Sequence, residues 1–280
     1  MVTSYSLPEG FTDFDMFTFG SAFLVEGVLG FFLNAISIVS FLAIKEMRTS
    51  NNFLIFNLAL ADISLNVNGI VAAYASFLRH WPFGADGCQT HGFQGMVSAL
   101  ASISLIAAVA WDRYHHYCTK QKLQWSTSVT LVVIIWILSV FWASLPLAGW
   151  GDYDFEPMRT CCTLDYSKGD RSYTTYMLSL TFFYLIIPAL TLLTSYQSIR
   201  KQFKKTGKYK LNTAWPLRTL LICWGPYVLL CMFASVENVK IVPPKLRMAL
   251  PVLSKTTPVF HALLYSFGSE SYRAGIWQFL

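Results

Sequence analysis

Charge is scarce in this sequence. Asp, Glu, Lys and Arg make up 13% of its 280 residues, while 54% are hydrophobic; a soluble domain carries about 25% charged residues. That deficit excludes a surface wetted on all sides and fits one that faces lipid. Cysteine is short too: six residues are too few for a disulfide scaffold. No Asn-x-Ser/Thr acceptor occurs, so glycosylation cannot orient the chain. No basic segment precedes the first apolar run, where the chain is acidic instead (Glu9, Asp13, Asp15), so no cleavable signal peptide is expected. Internal repeats, low-complexity stretches, Gly-rich phosphate loops and hydrolase constellations are missing. Without inverted repeats or paired broken helices, a secondary transporter is disfavoured. His115, His116 and Cys118 cluster at one helix end and read as an interfacial face, so no metal is expected.

What is present is a series of apolar runs at roughly 17–43, 53–78, 91–111, 127–149, 174–199, 216–236 and 247–267. Each approaches or exceeds the roughly 20 residues that cross a hydrocarbon core about 30 Å thick. The expectation is one all-α, seven-transmembrane domain over 1–280. Pro226, Pro251 and Pro258 mark kinks in the last two spans, because neighbouring helices can satisfy the freed carbonyls. The net charge of +6 does not point to nucleic acid, since the basic residues sit between apolar runs rather than among stacking aromatics. With the N-terminus outside, twelve fall on the inner side (Lys45, Arg48, Arg113, Lys120, Lys122, Arg200, Lys201, Lys204, Lys205, Lys208, Lys210, Arg273). Seven fall outside (Arg79, Arg159, Lys168, Arg171, Lys240, Lys245, Arg247). That bias predicts an extracellular or lumenal N-terminus and a cytoplasmic C-terminus, in either the plasma or the endoplasmic reticulum membrane. It also sets Cys88 on the same side as the Cys161-Cys162 pair, where one bridge is feasible. The segment GSESYRAGIWQFL reads as a short amphipathic helix.

Ionisable residues inside hydrocarbon are costly and point to function. Glu26, Asp62 and Lys255 lie within the spans, with His91, Asp112 and Arg218 nearer the surfaces. Asn34, Asn57 and Asp62 suit an interhelical polar network. Glu26 has no partner visible in the sequence. Lys255, in ALPVLSKTTPVFHALLY, is too deep to snorkel. It suits either a carboxylate partner on another helix or covalent chemistry, in which a desolvated neutral amine attacks an aldehyde. Trp224 and Tyr227, three apart, share a helix face.

Read in order, the motifs resemble those of rhodopsin-like receptors: LNAISIV with Asn34, LALAD with Asp62, Cys88 heading the third span, Asp112-Arg113-Tyr114 ending it, and Cys223-Trp224-Gly225-Pro226-Tyr227 in the sixth. Within that superfamily, Lys255, 31 residues after Trp224, resembles the retinal-binding lysine of animal opsins. HGFQG, WDRYHHYC and TCCTLDYSKGDR resemble the retinal G-protein-coupled receptor opsins of pigment epithelium and Müller glia. The resemblance implies a rhodopsin-like bundle that binds all-trans-retinal on Lys255 as a Schiff base and photoisomerises it towards 11-cis. It places Gly95, Met96, Tyr184, Trp224 and Tyr227 in the retinal pocket, and pairs Cys88 with Cys162, Cys161 being the alternative.

Visual opsins carry a Glu counterion three residues after the third-span Cys, whereas this chain has His91. Glu156, six residues before Cys162, matches the loop acid that serves many non-visual opsins. Glu156 is therefore the expected counterion, and His91 the group that tunes it with pH. Two function classes follow: a photoisomerase, and a light-activated receptor using Asp112-Arg113-Tyr114. The usual Asn-Pro-x-x-Tyr is His261-Ala-Leu-Leu-Tyr265 here, and the third inner loop offers Arg113 no acid near Thr206. These departures favour the isomerase. The implied partners are a retinoid chromophore, the bilayer and retinoid-handling proteins, with a G protein in the receptor reading and no nucleic acid in either.

Overall fold

A computed structural model of the chain describes residues 6–167, 169–206 and 215–279. Lys168, Lys208 and Lys210 of the loop-charge pattern lie outside them. The first span is α1, Asp13–Ala43. It begins with a capping box in which Thr12 Oγ1 accepts from the Asp15 amide at 3.2 Å and Asp15 Oδ2 accepts from the Thr12 amide at 2.8 Å. Next come α2, Ser50–Leu78, capped by Thr49, and α3, Gly84–Tyr114, which runs into a π turn at His115–Thr119. After α4, Trp125–Ser144, a short hairpin of β1, Tyr153–Phe155, and β2, Cys162–Leu164, pairs Tyr153 with Leu164 and Phe155 with Cys162.

The fifth span joins α5, Arg171–Thr181, to α6, Ile187–Thr206, through a π turn at Phe182–Ile186. The sixth is split at Trp224 into α7, Trp215–Cys223, and α8, Gly225–Phe233, because Pro226 has no amide to continue the ladder. The seventh is split again, into α9, Pro244–Lys255, and α10, Thr257–His261, followed by a π turn at Ala262–Ser266. Here Pro258 is the breaker, and the Thr257 hydroxyl satisfies the Ser254 carbonyl at 2.5 Å. The amphipathic α11, Glu270–Phe279, follows.

Six of these spans are long and apolar enough to cross a bilayer as they stand. The seventh reaches a comparable length once its pieces are joined, giving a seven-helix bundle. Large apolar side chains such as Phe17, Phe32, Ile137, Phe141, Leu190 and Leu229 point outward, while Asn34, Asp62, Ser102 and His261 are buried within. Apolar outside with polar inside inverts the soluble pattern and makes this an integral, multi-pass membrane protein.

Two restraints position the interior. The Cys88–Cys162 disulfide, with Cα atoms 5.4 Å apart, ties β2 to the head of α3. Tyr153 locks the hairpin further, its hydroxyl donating to the Ala143 carbonyl at 2.8 Å and its own carbonyl accepting from Gln89 at 2.7 Å. Its ring packs so closely on Gly92 that a Cβ there would come within 2.7 Å. The second restraint is the close approach of α1 and α2. A Cβ on Gly30 would lie 2.5 Å from Asn66 Oδ1, and one on Gly27 would lie 2.7 Å from Ile70 Cγ1; small residues let membrane helices touch in this way. Gly30→Ala should therefore cost about 1–3 kcal/mol by overpacking. Gly225→Ala, with nothing within 4 Å, should be tolerated far better. Thermal unfolding of the two variants in detergent checks this; equal midpoints would refute it.

Candidate functional site

Lys255 closes α9 and points its amine towards α1 and α2. The amine donates a hydrogen bond to Asn68 Oδ1 and lies 5.7 Å from the centre of the Phe23 ring. Lys255 and Tyr227 are both partly buried within the bundle. Trp224, Met96 and Gly95 are partly buried in the same manner.

Met96, Tyr184 and Tyr227 belong to one apolar cluster with Leu100, Tyr166, Tyr176 and Leu180. Trp224 packs on the neighbouring cluster, and its Nε1 is buried without a partner among the described residues. Gly95 has a different neighbour: a Cβ there would meet the Asn68 amide at 3.1 Å. Its lack of a side chain thus makes room for Asn68.

Glu156 follows β1 and is buried. Its Oε2 accepts from the Tyr166 hydroxyl at 2.5 Å and its Oε1 from the Tyr227 hydroxyl at 3.3 Å. Tyr227 in turn meets Thr163 Oγ1 at 3.0 Å. Burial pushes the Glu156 carboxyl up from its usual range to about 7. The two tyrosine hydrogen bonds and the positive charges of Lys255 and Arg247 oppose that rise. No ion pair joins Glu156 to Lys255 among the described residues, so the two act on each other through space. The free thiol of Cys161 is buried beside them and pushed up to about 12, chiefly by burial and secondly by the Glu156 charge.

His91 faces neither the Lys255 amine nor Glu156 with a hydrogen bond. Its Nδ1 lies 3.1 Å from the Cys162 carbonyl and 3.3 Å from the Cys162 amide, and its Nε2 lies 3.1 Å from the Asn68 carbonyl. The imidazole is a strut between hairpin and α2, and it acts on the amine through space rather than by a hydrogen bond. Glu26, whose role the sequence leaves open, has Oε2 buried without a hydrogen bond among the described residues, and its charge reaches Lys255.

Nearer the α11 end, the expected polar residues make separate joints. Asn34 donates to the Pro258 carbonyl at 3.2 Å and to Gly30 at 2.9 Å. The Asn57 amide oxygen accepts from Trp136 Nε1 at 3.3 Å. Asp62 accepts from Ser102 at 2.6 Å and lies 3.1 Å from His261 Nδ1. At the end of α3, Arg113 donates to the Tyr196 hydroxyl at 3.2 Å and sits 5.0 Å from the centre of the Tyr265 ring. Asp112 is buried with Oδ1 unpartnered among the described residues.

Sequence reasoning missed Gln94, Ser64, Tyr166, Ser102 and His261 as members of these clusters. Gln94 stands inside the HGFQG segment, and His261 stands where the Asn-Pro-x-x-Tyr pattern departs, so both carried a readable signal. Tyr166 and Ser64 carried none, because only folding brings them to Glu156 and Gln94.

The profile of the family described as "7 transmembrane receptor (rhodopsin family)" matches residues 33–265. The RPE-retinal G protein-coupled receptor of Bos taurus is 46% identical over 280 residues, covering 100% of this chain and 96% of its own length. The visual pigment-like receptor peropsin of Homo sapiens is 28% identical, over 89% of this chain and 80% of its own. Among solved structures, squid rhodopsin superposes with a TM-score of 0.85 at 23% identity, covering 96% of this chain and 86% of that one. The chain belongs to the rhodopsin family of seven-transmembrane receptors, in the branch of the RPE-retinal G protein-coupled receptors.

Proposed function

We propose that this chain is a retinal-binding opsin that holds all-trans-retinal on Lys255 and returns it in light as the 11-cis isomer. The observation that carries the reading is the Lys255 amine held inside the bundle between α1 and α2, with the buried Glu156 carboxylate close enough to act on its charge. Lys255 is the residue that would hold retinal, its amine condensing with the aldehyde with loss of water. Retinal supplies light absorption and the bond that rotates. The protein supplies shape and electrostatics.

Trp224 and Tyr227, set on either side of the Pro226 break, form the wall against a long apolar chain, with Met96 and Tyr184 opposite. Glu156 balances the positive charge on the nitrogen while Tyr166 and Tyr227 hold its carboxylate in place. His91 tunes that balance indirectly, by fixing the hairpin and Asn68 in one register. The hairpin shuts one end of the bundle, which keeps water from the nitrogen. We further propose that residues 1–280 act as a single seven-transmembrane unit with the hairpin and N-terminus extracellular or lumenal and α11 cytoplasmic; the loop-charge bias supports this orientation. In the second reading, a G-protein-coupled receptor, Arg113 is the switch. Its contacts with Tyr196 and Tyr265 favour that reading, because they tie the third span to the fifth and seventh at one end.

Illumination of the purified chain loaded with all-trans-retinal, followed by isomer extraction and a nucleotide-exchange assay, separates the two. Mostly 11-cis product without exchange is expected, and exchange with little isomer produced would favour the receptor. Lys255→Ala should form no pigment and yield no retinyl adduct after borohydride; pigment formed by this variant would sink the assignment.

Glu156→Gln should move absorption from the visible to the ultraviolet at neutral pH, and a spectrum unchanged from pH 5 to 9 would exclude Glu156 as counterion. The same variant tests linkage in the apoprotein. Since burial raises Glu156 from 4.5 to about 7, the folded state binds this proton more tightly than the unfolded state. Its contribution is complete below 4.5 and is lost as pH rises through 7, of order 3 kcal/mol in all. Glu156→Gln should flatten that part of the stability profile; an identical slope in both proteins would refute the linkage.

A further inference from the structure

Two side-chain amides near Lys255 have their directions dictated by backbone carbonyls, which only accept. Gln94 Nε2 donates to the Ser64 carbonyl at 2.7 Å and to Ser64 Oγ at 2.6 Å. Gln94 Oε1 is thereby turned to Asn68 Nδ2, 2.7 Å away. The His91 carbonyl takes the other N–H of the same Nδ2 at 2.9 Å. With both N–H bonds spent, Asn68 presents Oδ1 to its remaining neighbour, the Lys255 amine. Inverting either amide would set acceptor against acceptor. The Asn68 side chain is buried, and its own carbonyl is held by His91 Nε2.

We propose that Asn68 is a positioning residue: its locked amide oxygen is the neutral acceptor that keeps a proton on the Lys255 nitrogen. The proposal rests on Lys255 as the point of retinal attachment and deepens that reading. A Schiff-base nitrogen has an N–H to donate only when protonated; unprotonated, it would turn a lone pair towards Oδ1. An uncharged acceptor therefore favours the protonated form without adding a second counterion, and Glu156 is free to balance the charge from a distance. The other groups facing this nitrogen are Glu26 and the Phe23 ring from α1, His91 from α3, and Glu156 and Cys161 from the hairpin region. Among the described residues, Asn68 is the one that accepts its hydrogen bond.

The test uses the full chain in detergent, as parent, Asn68→Leu and Gln94→Leu. With all-trans-retinal bound, the C=N stretch in H2O and D2O reads the environment of the N–H directly. Asn68→Leu should shrink the isotope shift and raise the ultraviolet-to-visible ratio at pH 7 about tenfold or more, the worth of one hydrogen bond to a charged group. Gln94→Leu, which lets Asn68 turn, should move both in the same direction by less. An unchanged shift and ratio in Asn68→Leu would overturn the proposal.

The apoprotein supplies a second arm, because formaldehyde with cyanoborohydride methylates only the unprotonated amine. Mass spectrometry at pH 7 should show Lys255 labelled about tenfold faster in Asn68→Leu than in the parent. Equal rates would overturn the proposal whether or not retinal binds. Faster labelling in a protein whose parent forms no pigment would sink the opsin reading and uphold the role of Asn68. Should Asn68→Leu not fold, Gln94→Leu decides: faster labelling supports the proposal and an unchanged rate overturns it.

Discussion

An amine inside a helix bundle sets the terms for everything around it. Desolvating a cation costs several kcal/mol unless neighbours replace the lost water, and here four groups from three parts of the fold stand in for it. The Asn68 amide accepts from the nitrogen, the Phe23 ring faces it, Glu26 approaches from α1, and Glu156 is presented by the hairpin. Each would be expensive alone. Glu156 is a buried carboxyl held by two phenols, and Asn68 is a buried amide whose every polar atom must be matched. Their costs offset one another only while the hairpin, α2 and α3 keep their register. The Cys88–Cys162 bridge, the His91 strut and the Tyr153 anchor all serve that register.

This dependence explains which parts of the site were legible in the sequence. The bundle was, since seven apolar runs and a shortage of charge state it directly. So was the interior position of Lys255, because a lysine this deep in an apolar run cannot reach either surface. Cys88 and the Cys161-Cys162 pair were narrowed to one side of the membrane by loop charges alone. What resisted reading were contacts between residues far apart in the chain whose types are common. Asn68 reads as one amide among several, and nothing in its local sequence says that Gln94, 26 positions on, will fix its direction. His91 shows the opposite case. Its position invites an electrostatic role facing the nitrogen, yet both ring nitrogens are engaged with backbone. A histidine can be a strut wherever two carbonyls or amides converge, and convergence is a property of the fold.

The helix breaks follow the same logic. Pro226 and Pro258 each remove an amide from a ladder, and in both cases the break lies beside a residue of the proposed retinal site, Trp224 in one span and Lys255 in the other. A continuous helix would hold those side chains at fixed angles to both ends of the bundle. The breaks let each one take an angle set by packing, with Thr257 repairing the carbonyl freed next to Lys255.

Beyond its break, the seventh span is pinned on its inward face. Asn34 holds the Pro258 carbonyl, Asp62 and Ser102 hold His261, and Arg113 lies over the Tyr265 ring. Positions 258, 261 and 265 are spaced three and four apart, so the joints stack along one face of the helix. Parting Asp62 from His261 would weaken the support of a fully buried carboxylate, a costly step. The segment carrying Lys255 is therefore separated by a helix break from a segment fastened to the first, second and third spans. In the proposed isomerase, strain at the nitrogen would meet that break before it reached the pinned half. That mechanical division, more than any single missing motif, is consistent with the proposed isomerase, whereas a receptor's signal must reach Arg113.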